Sequence, residues 1–135
     1  MSEQTELHRK ALARFYDAFN ARDLAAVLAT LHPEIEFESR FARAGGTTYS
    51  GHVGVSGWFS DLADAWEYIV VDVGPSRDVA ADRTIALITL RGRGRASGIM
   101  LDEEAAHELL WREGKLARLA YIDVDAARDA LGLEA

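Results

Sequence analysis

The chain has 135 residues, with 15 Lys and Arg against 22 Asp and Glu, a formal net charge of −7. That length suits a single domain over residues 1–135, burying roughly 65–70% of the surface its unfolded chain would expose. The acidic balance disfavours general affinity for nucleic acid or anionic lipid, and the absence of cysteine excludes disulfides and thiolate chemistry.

The first six residues, Met1 to Glu6, are acidic and polar, unlike a secretory signal. No apolar run approaches the ~20 residues that span a bilayer, so a cytoplasmic protein with no membrane partner is expected. Leu7, Ala11, Phe15, Ala18 and Phe19 then recur at helical spacing and predict an amphipathic first helix. Asn20 to Asp23 breaks the pattern, and Asp23 is a good N-cap for a second helix carrying Leu24, Val27, Leu28 and Leu31. His32-Pro33 ends that helix, since the residue before proline is pushed out of the helical region.

Ile35, Phe37 and Ser39 alternate with Glu36 and Glu38, the pattern of a half-exposed strand. Residues 40–51, with Gly45, Gly46 and Gly51, read as a loop over the sheet. A third helix fits Trp58, Phe59, Leu62, Ala65 and Trp66. Gly54 and Gly57 at its start predict either close backbone approach or a later beginning. Tyr68 to Val73 is β-branched and aromatic, and Gly74-Pro75 marks an expected bulge or edge irregularity. Thr84 to Leu90 is apolar on both faces, as suits a strand covered on both sides. A turn around Gly98, a strand to about Arg112 and a last strand from Lys115 to Ile122 follow. Asp123 or Asp125 caps a short final helix that stops at Gly132.

The stretch Trp111 to Lys115 fits a three-residue hairpin loop, with Gly114 in the left-handed region as a bulge. That geometry pairs Trp111 with Lys115, Leu109 with Ala117, His107 with Leu119 and Ala105 with Tyr121. His107, Leu109, Trp111, Leu119, Tyr121 and Asp123 then share one face, expected to be the inner one. A two-residue loop would instead put His107 and Tyr121 on opposite faces.

Helices followed by long antiparallel strands predict an α+β fold. Phe15-Tyr16-Asp17-Ala18-Phe19-Asn20-Ala21-Arg22-Asp23-Leu24 and His32-Pro33-Glu34-Ile35-Glu36-Phe37 open a set of features of specific order. Tyr49-Ser50-Gly51, the run Gly92 to Gly98, Gly114-Lys115 and Ala130 to Leu133 complete it. Together these resemble the SnoaL-like branch of the nuclear transport factor 2-like superfamily over almost the whole chain. The resemblance implies a cone of helices on a strongly curved, mainly antiparallel sheet enclosing a pocket, and a homodimer formed through the sheet's outer face. Its members include isomerases, cyclases, dehydratases, epoxide hydrolases and non-catalytic binding domains, so fold alone does not choose the function.

Carried over residue by residue, the general base of ketosteroid isomerases falls at Ser39. Their oxyanion-hole tyrosine falls at Phe15 and their second pocket acid at His107. Two of three roles are lost, and that activity is not expected. The acid of SnoaL-like cyclases, seven residues before the hairpin glycine, also falls at His107. The cooperating Arg-Asp-Asp set of epoxide hydrolases is not recognisable.

His107 is therefore the candidate acid/base, titrating near neutrality when unperturbed, with Tyr121 as hydrogen-bond donor to a carbonyl. The alternative for His107 is a partly buried histidine satisfied by one hydrogen bond. Asp123 is a candidate to orient His107 or, more simply, to cap the last helix. Phe19, Phe37, Trp58, Phe59 and Trp111 are candidates for an apolar lining suited to a hydrophobic or aromatic ligand, or for plain core. Ser39 is a candidate hydrogen-bonding group of the pocket, without an evident base to make it a nucleophile. Arg91, Arg93 and Arg95 form a one-face stripe, read as a strand end bridging to acidic residues at a subunit interface rather than holding nucleic acid. An arginine entering the pocket to hold a carboxylate is the intermediate reading. His8, His32, His52 and His107 share no ligand spacing, so neither metal nor cofactor is expected. The leading reading is cofactor-independent proton transfer of isomerase, cyclase or dehydratase type on a hydrophobic carbonyl compound. A non-catalytic ligand-binding domain and a dimeric interaction module with no open pocket are the alternatives.

Overall fold

The computed structural model describes residues 3–40 and 47–133. In chain order its elements are α1 (Glu3–Asn20), α2 (Leu24–Thr30), β1 (Leu31–Ser39), β2 (Thr47–Ser50), α3 (Gly51–Ala65) and β3 (Trp66–Ala80). They are followed by β4 (Arg83–Gly94), β5 (Met100–Arg112), β6 (Lys115–Ile122) and α4 (Val124–Ala130). The strands form one open sheet in the order β2-β1-β6-β5-β4-β3. Every neighbouring pair is antiparallel except β1 with β6. Helices on a mainly antiparallel sheet are the α+β arrangement expected above.

The buried stripe on α1 keeps the expected Ala11, Phe15, Ala18 and Phe19 and widens by one position to take in His8, Leu12 and Tyr16. Leu7, by contrast, is 56% exposed. His8 takes the inward place because its ring stacks on Trp111 at 5.0 Å and its Nδ1 meets Asp78 at 3.0 Å. Asp23 caps α2 through an oxygen that accepts from the Ala26 N–H, as expected. Leu31, expected on the helix, opens β1 instead.

Along β1 the alternation holds, with Ile35, Phe37 and Ser39 buried and Glu36 exposed. β2 lies where the glycine-rich stretch reads as loop, and its Thr47 to Ser50 pair with Ser39 to Glu36. Residues 41–46 of that expected loop lie outside the described residues. Gly54 shows the close approach its sequence context predicts, since a Cβ there would sit 3.3 Å from the Tyr49 backbone; Gly57 has open space. Trp66 opens β3 rather than closing α3, and the register of β3 shifts between Val73 and Ser76, at Gly74-Pro75 as expected. At the free edge of β3, Asn20 both donates to the Val71 carbonyl and accepts from its N–H, each at 2.8 Å. Arg22 donates to the Ile69 carbonyl at 2.7 Å.

The main core lies between the sheet's inner face and α1 and α3, with Phe15, Phe37, Trp58, Ile69, Ile88 and Leu109 among its members. A second, smaller core joins Ile85, Leu87 and Ala106 on the outer face to Ala127 of α4. This explains why β4 is apolar on both faces. The arginine stripe lies exposed on that outer face: Arg91 pairs with Asp72 at 3.2 Å and Arg93 with Glu67 at 3.4 Å, both partners on β3. Arg95 donates instead to the Ala63 and Trp66 carbonyls.

The β5-β6 hairpin differs from its predicted form in two ways that together keep the faces but shift the register by two residues, so that Leu119 stands opposite Leu109 rather than His107. Arg112 pairs with Lys115, leaving a two-residue loop of Glu113 and Gly114. Both have positive φ (56° and 76°), as a type I′ turn requires. Beyond it, Trp111 faces Leu116 and Leu110 faces Arg118, so Ala117 is an extra residue in a β-bulge. The shorter loop alone would invert β6 relative to β5. The bulge inverts it back, and His107 stands directly opposite Tyr121.

Candidate functional site

His107 on β5 and Tyr121 on β6 share the inner face, with ring centroids 4.7 Å apart and planes at 80°. On the far side of His107, its β4 neighbour is Ala86. Tyr16 of α1 reaches down onto the same histidine: its hydroxyl lies 2.7 Å from His107 Nδ1. Tyr16 and His107 are 2% and 4% exposed. Among the described residues, His107 Nε2 is buried with no hydrogen-bond partner.

The remaining walls are apolar. Phe15 and Phe19 come from α1, Phe37 and Ser39 from β1, Trp58 and Leu62 from α3, and Ile69, Val71 and Leu90 from β3 and β4. Trp58 is the hub: Phe37 lies 4.4 Å and Phe19 5.2 Å from it, centroid to centroid, and its Nε1–H donates to Ser39 Oγ at 3.1 Å. These side chains leave about 390 Å³ of empty space, solvent at the mouth included. Only about 30 Å³ of it can hold the centre of a water molecule. That is room for one or two waters, so a ring-sized guest enters only as aromatic side chains turn aside. Arg40 holds its guanidinium 4.6 Å from the centre of the Tyr121 ring.

Of the residues singled out in the sequence, the structure brings together His107, Tyr121, Phe19, Phe37, Ser39 and Trp58 around one cavity. Phe59 sits behind it, edge-on to Trp58 at 5.2 Å. Trp111 lies at the other end of the core. There its Nε1–H donates to Thr84 Oγ1 at 2.9 Å, and Thr84 donates in turn to Asp78 at 2.6 Å. Asp123 is exposed and accepts from the Ala126 N–H as the N-cap of α4. Tyr16, part of the stretch Phe15 to Leu24 that carries the family resemblance, joins the site beyond the candidates read from the sequence. Its signal is helical spacing, four residues after Leu12 and three before Phe19, on the buried stripe beginning at His8.

Electrostatics leave the polar end of the cavity uncharged at neutral pH. Burial, reinforced by the Arg40 cation, pushes the His107 imidazolium down to about 3. Burial raises the Tyr16 and Tyr121 hydroxyls above the usual phenol range. No carboxylate is among the lining residues. The site can thus donate or accept hydrogen bonds, but it holds no strong base. Among the described residues no group of three or more His, Asp or Glu side chains gathers as a metal would need, and no helix is long and apolar enough to cross a membrane.

Residues 12–119 match the family of the SnoaL-like domain. No curated protein matches the chain. Among solved structures, TerC co-crystallised with polyporic acid is 20% identical, with 93% of this chain and 97% of that one covered and a TM-score of 0.76. A nuclear transport factor 2-like protein of unknown function from Burkholderia pseudomallei is 19% identical, covering 97% and 98%, with a TM-score of 0.77. A Mycobacterium tuberculosis protein in complex with estradiol-17β-hemisuccinate is 13% identical, covering 88% and 95%, with a TM-score of 0.72. At these identities the likeness is one of fold: the α+β architecture is that of nuclear transport factor 2-like proteins.

Proposed function

The chain belongs to the SnoaL-like domain family, and from that premise we propose that its His107 cavity binds a small hydrophobic or aromatic molecule bearing a polar oxygen. The observation that carries this reading is a buried imidazole with a nitrogen unpartnered among the described residues, in a wall that is mostly aromatic and aliphatic. A position serving packing alone favours leucine or phenylalanine there, because an unmet buried polar atom costs about 1–3 kcal/mol. A guest oxygen would supply the missing partner. The similar folds solved with polyporic acid and with estradiol-17β-hemisuccinate support an occupant of this class.

Binding is favoured over proton transfer because His107 is a weak base in its burial. A general base works best when its pKa lies near the operating pH, and that of His107 lies near 3. A homodimer through the sheet's outer face belongs to the same proposal. The cross-strand row Tyr68-Arg93-Met100 supports it, its two apolar side chains 42% and 63% exposed.

The test is an NMR titration of the protein with small aromatic ketones, followed by long incubation and product analysis. Saturable shifts at His107, Tyr16 and Trp58 with the ketone recovered intact are expected. Conversion of the ketone, lost in His107→Gln, would instead establish the proton-transfer reading. No shift with any compound would mean that the aromatic cluster is closed core.

A further inference from the structure

The polar contact in this cavity has a direction, set by a residue of α1. Tyr16 and His107 share one hydrogen bond, and among the described residues neither the Tyr16 hydroxyl nor the His107 ring has another partner. Two arrangements of protons are possible. If Nδ1 carries the ring proton and donates to the Tyr16 oxygen, the phenolic proton is left buried without an acceptor and the Nε2 lone pair without a donor. If Tyr16 donates to Nδ1, the ring proton moves to Nε2, and that N–H and the lone pairs of the phenolic oxygen are unmet. Each arrangement leaves one donor and one acceptor unmet, so the shared bond decides. A phenol is the stronger donor and an imidazole nitrogen the far stronger acceptor, and the arrangement in which Tyr16 donates is preferred. Burial also keeps the phenol protonated and the imidazole neutral, so neither ring escapes the choice by ionising.

Resting on the ligand-pocket reading above, we propose that Tyr16 is a positioning residue that fixes His107 as a hydrogen-bond donor through Nε2–H. The pocket therefore selects apolar molecules with a neutral acceptor oxygen, a ketone or quinone carbonyl, over the same skeleton lacking it. A cation is excluded, since it would meet a donor in an apolar wall with Arg40 at its side. A skeleton without the oxygen fills the same space but leaves Nε2–H unmet, and a site built to hydrogen-bond its ligand discriminates strongly against such an analogue.

Two measurements test this on the full chain. Long-range 15N–1H spectra of the histidine-labelled protein at neutral pH should show the His107 proton on Nε2 and an unprotonated Nδ1. In Tyr16→Phe the Nδ1–H form should appear, a change that mere loss of packing would not produce. A wild-type spectrum with the proton on Nδ1 overturns the proposal, whatever the variant does. Second, 1-indanone should bind about tenfold or more tighter than indane, with the preference abolished in His107→Phe and reduced in Tyr16→Phe while indane affinity is kept. Equal wild-type affinities would overturn the donor role yet leave the pocket reading standing. If neither compound binds, the pocket reading and the selectivity both fall.

Discussion

At the scale of single residues, His107 makes stability depend on pH. In the unfolded chain its imidazole takes up a proton as pH falls through about 6.5, whereas in the fold it resists protonation down to about 3. The unfolded state thus binds more protons between those values. The ring's contribution is complete above about pH 6.5 and is lost progressively as pH falls towards 3, by at most about 1.4 kcal/mol per pH unit. His107→Phe should therefore show a shallower fall in the urea midpoint across that window than the wild type, measured by equilibrium unfolding. That His107 and Tyr121 share a face is legible in the sequence because strand alternation is simple, whereas their direct pairing is not, since the expected register sets His107 against Leu119. Tyr16 was hidden as a site residue by one step of helical phase. The stripe through Leu7 and Phe15 matches the sequence nearly as well as that through His8 and Tyr16. What separates them is the stacking of His8 on Trp111, more than 100 residues away.

At the scale of elements, the β5-β6 hairpin is the place where local sequence says least. The turn residues Glu113 and Gly114 suit more than one loop length, and the bulge at Ala117 has no signature of its own, since alanine is at home in any strand position. Glu113 holds a left-handed backbone at φ 56°, which costs an ordinary L-residue about 1 kcal/mol. Asparagine tolerates that conformation and is favoured in type I′ turns. Glu113→Asn should raise stability by about 0.5–1 kcal/mol, read from the denaturant midpoint, without altering the site. β2 escaped notice for a related reason. Four residues with one buried side chain, Tyr49, take their extended form from pairing with β1 rather than from their own pattern. The helices and long strands, by contrast, carry their burial pattern in their own residues, and Asp23 and Asp123 cap helices as their positions predicted.

At the scale of the whole molecule, the sheet is a divider between two cores. The aromatic cavity lies on the inner side, and α4 covers Ile85, Leu87 and Ala106 on the outer side. Tyr68 and Met100 lie exposed on that outer side, flanking Arg93. Sedimentation equilibrium should find a dimer that Tyr68→Glu converts to monomer with ligand shifts at His107 retained; a wild-type monomer at high concentration would remove the dimer from the proposal. The clasp of Asn20 on the Val71 amide and carbonyl, with Arg22 on Ile69, bears on the same matter from another side. An outermost strand is a template on which a stray chain can grow, one amide at a time, into a fibre. Here side chains stop that growth by answering the backbone as a neighbouring strand would, and Pro75 withholds a donor farther along. Copies of this chain that meet at the β3 edge find part of its backbone already answered and are steered away from polymerising edge to edge.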